Sequence, residues 1–162
     1  MTVDTRRVKG RRKLSFASYD EILAEAERLA QASRVRTLGN WSLGQAFFHL
    51  AAGMRAMLDG TRAPAPWLAR LLGPSLKWFI LNRPMPAGFR LPPASAAELI
   101  ADHEVESREG LESLREAVGR MSAASSFRPH PIFGSMTPDQ TRRLHCRHAE
   151  LHLSFYVPED EP

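Results

Sequence analysis

The stretch "SLGQAFFHLAAGMRAML", residues 42–58, decides how this chain folds. Ser42 is a helix-capping residue whose hydroxyl accepts from the amide three positions on, and Gln45 stands where its side chain bonds back to the Ser42 amide. Behind that start, Leu43, Phe47, Leu50, Met54 and Leu58 recur at helical spacing and build one bulky apolar face. Gln45, Ala46, His49, Ala52, Gly53 and Ala56 build another face, small residues around a single histidine. Such a face means either close helix packing or room for something bound. Gly60 follows as a stop signal.

The same starting device recurs at Ser18–Glu21, Ser95–Glu98 and Thr137–Gln140, the last with Pro138 at the first helical position. Each precedes helix-periodic apolar residues. The predicted helices run over 19–32, 43–58, 96–120 and 138–156, with Pro158 beyond the last, and no alternating strand pattern appears. Four amphipathic helices in one small domain must bury their stripes against each other. The fold class is therefore all-α, a four-helix bundle.

Between the second and third helices, "PAPWLARLLGPSLKWFILNRPMPAGFRLPP" at 64–93 is too long for a plain loop. Trp67, Leu71, Leu72, Trp78, Phe79 and Leu81 require cover. One or two short helices broken at Gly73-Pro74 are expected, as a pad closing the bundle end, a dimer contact, or a lid over a pocket.

At 162 residues the chain suits a single domain, and 43% apolar with 25% charged residues is ordinary for a globular protein. No apolar run approaches the roughly 20 residues of a spanning helix, and no secretory segment leads the chain. A lone cysteine, Cys146, forms no internal disulfide, so a cytoplasmic protein is expected. Residues 6–13, "RRVKGRRK", hold six basic residues and no acid; without them the net charge of +4 becomes −2. The expected division is a flexible basic arm at 1–13, one domain at 14–158 and an acidic tail at 159–162. The arm lacks interleaved aromatics or a recognition motif, so no nucleic-acid partner is expected, and no membrane partner either.

The stretch "LHCRHAELHLSFY", residues 144–156, holds three of the six histidines. At about 100° per residue, Leu144, Leu151 and Phe155 define its core stripe. His148 and His152, spaced i,i+4, lean toward that stripe and can share an ion, while His145 lies further round near the boundary. Glu150 falls on the far side with Arg142, Arg143 and Arg147. It does not directly follow the first histidine, so the zinc-protease helix motif is not met. A third ligand must come from another helix. His49 is the best candidate; His103 also falls on an apolar side, near Ile100, Leu114 and Met121. The alternative is a set of separate core histidines, each satisfied by backbone or water.

These residues resemble a known family. "RTLGNWSLGQAFFHLA" at 36–51, "HPIFG" at 130–134 and the His148–Phe155 stretch resemble an uncharacterised branch of the DinB/YfiT-like superfamily, a likeness covering roughly residues 11 to 156. The resemblance implies an up-down-down-up four-helix bundle, often a homodimer. It also implies a divalent ion, nickel or zinc in many members, on one histidine of the second helix and an H-x3-H pair of the fourth. Here those are His49, His148 and His152. Cobalt and iron suit three histidines as well.

Three imidazoles leave a divalent ion an open position, the arrangement of a catalytic site. The expected function is a metal-dependent enzyme that activates a thiol or water, such as an S-transferase using a low-molecular-weight thiol. The alternative is a non-catalytic dimeric bundle binding metal or a small molecule. His103, His130 and His145 are candidates for proton-transfer roles. Trp41 and Gln45 are candidates for shaping the pocket, although Trp41 also occupies a hydrophobic-staple position with Ala46 as partner.

Overall fold

The computed structural model describes residues 2–62, 65–89 and 91–159; of the acidic tail at 159–162, only Glu159 falls within them. After a short 3-10 turn at Thr5–Arg7, the chain forms α1 (Tyr19–Gln31), β1 (Val35–Thr37), α2 (Leu43–Asp59), α3 (Trp67–Asn82), α4 (Pro93–Leu99), α5 (Ser107–Ala123), α6 (Pro138–Leu153) and β2 (Tyr156–Pro158). It is mostly helical. Ser42 and Thr137 close both halves of their capping boxes. Ser18 accepts from the Glu21 amide, but the Glu21 carboxylate takes the Ala17 amide instead of returning to Ser18.

The single helix expected over 96–120 is a correction. Ser95 lies inside α4, which starts at Pro93 without a side-chain cap, and residues 100–106 separate α4 from α5. The reason is tertiary. Residues 99–105 run antiparallel along the first two turns of α2 and give it their carbonyls. The Ser42 hydroxyl donates to Val105 O (3.4 Å), Gln45 Nε2 to His103 O (2.8 Å) and His49 Nδ1 to Leu99 O (2.8 Å). A continuous helix would spend those carbonyls on its own ladder.

This lacing requires α2 and the start of α5 to meet backbone to backbone. A Cβ on Gly44 would come 2.1 Å from Val105 O, and one on Gly110 would come 2.4 Å from Gly44 O. α2 packs most extensively on α5, α1 also lies on α5, and α6 packs on both α1 and α2. Ile22 and Leu29 of α1, Phe47 and Met54 of α2, Leu114 and Met121 of α5, and Leu153 of α6 fill the core.

Two further differences concern the chain after α6 and the insertion. The helix expected to reach 156 stops at Leu153, and Tyr156–Pro158 pairs antiparallel with Val35–Thr37. Three-residue strands are too short to show an alternating pattern, which is why the sequence does not display them. α3 passes unbroken through Pro74. Its Gly73 lies against the Ile132 carbonyl, which a Cβ would approach to 2.0 Å, and that seat holds the helix across the proline. Of its large apolar residues, Leu81 is buried while Trp67, Leu71, Leu72, Trp78 and Phe79 stay exposed.

The end of the basic stretch is bonded to the chain that follows α6. Arg11 Nε donates to Ser154 Oγ (3.0 Å), and its guanidinium lies over the Phe155 ring at 4.4 Å. Arg12 bonds Ser154 O through its amide and Tyr156 O through its side chain. Val8 and Leu14 pack on the core.

The Gly44–Gly110 contact yields a paired test. Gly110→Ala should cost about 1–3 kcal/mol, the usual penalty of overpacking, measured from the denaturant midpoint. Gly119→Ala, in the same helix with nothing near its Cβ position, should be neutral or stabilise by up to about 1 kcal/mol through helix propensity. Equal effects at both positions would refute the close-contact account.

Candidate metal centre

α2 contributes His49, and α6 contributes His148 and His152 one turn apart. One ligating nitrogen from each lies within 4.8 Å of the other two. The rings stand roughly perpendicular: centroids are 4.9 Å apart for His49–His148 and 4.6 Å for both other pairs, with interplanar angles of 68–87°. At the tightest point His49 Nε2 is 3.0 Å from His148 Nε2.

Backbone chemistry fixes the His49 tautomer. Leu99 O can only accept, so His49 Nδ1 carries the ring proton and its Nε2 presents a lone pair toward His148. Two imidazole nitrogens at that distance need something positive between them, either the His148 proton or a metal ion. Zn–N bonds of about 2.0–2.1 Å place tetrahedral ligands about 3.3 Å apart, so the set fits one ion after small side-chain rotations within the rotamer wells. These three histidines form a cluster able to hold a metal ion.

Burial decides their charge. It holds His49 below the ordinary imidazole value, against the bond to Leu99. Burial first, and then the neighbouring imidazoles, hold His148 well below it; for His152 the causes are burial, His49 and Arg11. All three are neutral near pH 7, the form a metal needs. Proton competition, set at about pH 6.5 by an ordinary imidazole, therefore moves to lower pH.

Trp41 covers the cluster. Its ring stacks on His152 (5.2 Å between centroids, 14°) and tilts onto His49 at 4.8 Å. The Tyr156 hydroxyl holds the turn beneath it, donating to Trp41 O and Ser42 O. Gln45 closes the Ser42 cap and reaches His103 O, and these bonds hold the α2 start against residues 103–105. Gly53 lies beside the His148 ring, whose Cε1 would be 3.6 Å from an added Cβ.

The other histidines stand outside the cluster. The His103 ring is exposed and pairs with Asp102. His130 Nδ1 accepts from the amides of Ile132 and Phe133, so its proton sits on Nε2; burial and Lys77 lower its pKa to about 4. It lines a cleft of about 480 Å³ with Arg70, Thr61 and Gly134. His145, expected near the rim, is buried beside Tyr19 with its Nε2 unpartnered among the described residues and its pKa lowered to about 3 by burial. α1 covers that side of α6, which a helical wheel of α6 alone does not include. Glu150 does have a basic neighbour, Arg147 at 2.7 Å, but is buried rather than solvent-facing, because it also accepts the Phe16 amide at 2.7 Å.

Sequence reasoning missed Arg11, which lies near enough to His152 to lower its pKa. Nothing in a run of six basic residues singles it out. Cys146 is no rival nucleophile: burial raises its thiol to about 11.

The family model described as "Protein of unknown function (DUF1569)" matches residues 8–159, and the chain belongs to that family. No curated protein and no solved structure matches it.

The buried imidazoles set a pH dependence. The unfolded chain binds protons near pH 6.5 while the folded one resists them, so stability present above pH 6.5 falls as pH drops toward 4. Melting in chelator should show the midpoint falling across that window. His145→Phe should flatten the slope by about one proton, roughly 1.4 kcal/mol per pH unit. An unchanged slope would mean that His145 is not buried as a neutral ring.

Proposed function

We propose that this family member is a metal-dependent enzyme in which His49, His148 and His152 hold one divalent ion, zinc or nickel ahead of cobalt or iron. The long helices α1, α2, α5 and α6 would form a four-helix bundle of the DinB-like type. The observation that carries the reading is the convergence of three neutral imidazoles from two helices, one with its tautomer locked by Leu99 O. When bound, the ion supplies Lewis acidity that lowers the pKa of a thiol or water.

The residues around the cluster suit that chemistry. Three ligands leave a coordination position open. Trp41 closes the side above His152 and His49 against bulk water, and Arg11 places a guanidinium near His152, where it favours an anionic nucleophile. With the Cys146 thiol held protonated, a thiol nucleophile has to arrive as a substrate. A low-molecular-weight thiol attacking an electrophilic carbon is the preferred reaction, hydrolysis the second.

Protein purified without an affinity tag should carry roughly one divalent ion per chain by elemental analysis. His148→Ala should lose it while keeping its helical circular dichroism, because the core is built from other side chains. Loaded protein should couple glutathione, bacillithiol or mycothiol to an alkyl or aryl halide, and chelator should abolish turnover. A stoichiometry unchanged in His49→Ala/His152→Ala would remove the triad. A loaded protein with neither transfer nor hydrolysis would make it a non-catalytic binding bundle.

A further inference from the structure

In the stretch His130–Gly134, prolines stand on both sides of His130 and a glycine closes the segment. Proline limits the backbone, and Gly134 at φ +68° takes the left-handed turn that brings the chain back on itself. His130 N donates to Gly134 O and Gly134 N to His130 O, both at 2.9 Å. Inside that ring, His130 Nδ1 accepts from the amides of Ile132 (3.1 Å) and Phe133 (3.2 Å), and the imidazole stacks on Phe133 at 4.6 Å between centroids. The loop thus occupies one edge of the imidazole. The proton is left on Nε2 at the other edge, where it meets no acceptor among the described residues.

Three contacts hold this loop in place. Arg128 N donates to Met57 O at 2.8 Å, Gly73 of α3 lies on the Ile132 carbonyl, and Lys77 Nζ donates to Ser135 O at 2.7 Å. Between the end of α2, α3 and the loop they leave the cleft of about 480 Å³, a size that suits a small molecule. Pro74, Pro129, Pro131 and Ile132 give it apolar walls. Its polar lining comes from Thr61, Arg70 and His130, and no acidic residue lines it. The Thr61 hydroxyl donates to Glu98, whereas Arg70 forms no ion pair among the described residues. Burial and Lys77 hold His130 at a pKa of about 4, so near pH 7 its Nε2–H donates without adding charge.

We infer that this cleft binds a small organic carboxylate, its head between the Arg70 guanidinium and His130 Nε2–H and its apolar body against the prolines and Ile132. The guanidinium fork matches the two oxygens of a carboxylate. Arg70 is the one cation lining the cleft among the described residues, and it balances a single negative charge. A phosphate dianion would keep an uncompensated charge beside apolar walls. The site is separate from the metal centre. Gly60 of the cleft stands seven residues beyond Gly53, which lies beside His148, and seven helical residues span about 10 Å.

Benzoate and hexanoate are the probes, an aromatic and an aliphatic body on the same head. They are titrated into the full chain by calorimetry with the neutral chelator phenanthroline present, so that no carboxylate is held by a metal ion. At least one should bind, and in the nitrogen NMR spectrum of histidine-labelled protein it should move the His130 Nε2 resonance. Benzyl alcohol, with no charge to offer Arg70, should bind roughly tenfold or more weakly than benzoate. Arg70→Gln replaces an exposed residue, so it should melt like wild type and lose roughly tenfold or more in carboxylate affinity. Binding of neither probe, equal binding of benzyl alcohol, or an Arg70→Gln protein that titrates like wild type overturns the proposal. So does inorganic phosphate binding more tightly than both carboxylates, which would assign the head to a phosphate.

Discussion

The approach of Gly44 to the start of α5 is the constraint on which the rest of the structure depends. With no side chain at Gly44 or Gly110, the backbone at 105–110 lies directly on the first turn of α2. The chain before it is then drawn along α2 in an extended path, and its carbonyls at Leu99, His103 and Val105 become acceptors for His49, Gln45 and Ser42. One steric allowance thus breaks a helix, closes a cap and orients an imidazole. A methyl group at either glycine would separate the two backbones and loosen all three bonds together.

That orientation carries chemical weight because His49 is buried and its two partners are half-buried. A histidine in water exchanges tautomers and protons freely; His49 does neither, since Leu99 O holds one nitrogen and burial disfavours a second proton. His148 and His152 face the same cost of burial, to which His152 and His49 add at His148, and His49 and Arg11 add at His152. Three nitrogen lone pairs converging on one point are poorly stabilised by one another and well stabilised by a cation. The same burial that raises the Cys146 thiol keeps it out of competition.

The chain ends complete the arrangement from outside the helices. β2 pairs with β1, and Tyr156 bonds the turn that carries Trp41, so the segment after α6 fixes the ring over His152 of α6. Glu150 and Ser154 clamp the N-terminal stretch at Phe16, Arg11 and Arg12. Arg11 reaches His152 through that clamp. α3 stands apart from this network, held by Gly73 and Leu81 on one side and presenting bulky apolar groups on the other.

The sequence by itself determined what depends on neighbours within a turn or two. Helix starts at Ser42 and Thr137, the inward lean of His148 and His152, and the small-residue face around His49 were all legible, because capping and helical periodicity are local. His49 as third ligand was a reasoned choice between two helical histidines. What decided against His103 was the extended path of residues 99–105, which leaves its ring in solvent. The break between α4 and α5, the burial of His145 under α1, the recruitment of Arg11 and the β1–β2 pairing were decided only by tertiary structure. Each rests on a backbone group or a covering element that lies far away in sequence, and residue type alone does not record which carbonyl or which helix will arrive there.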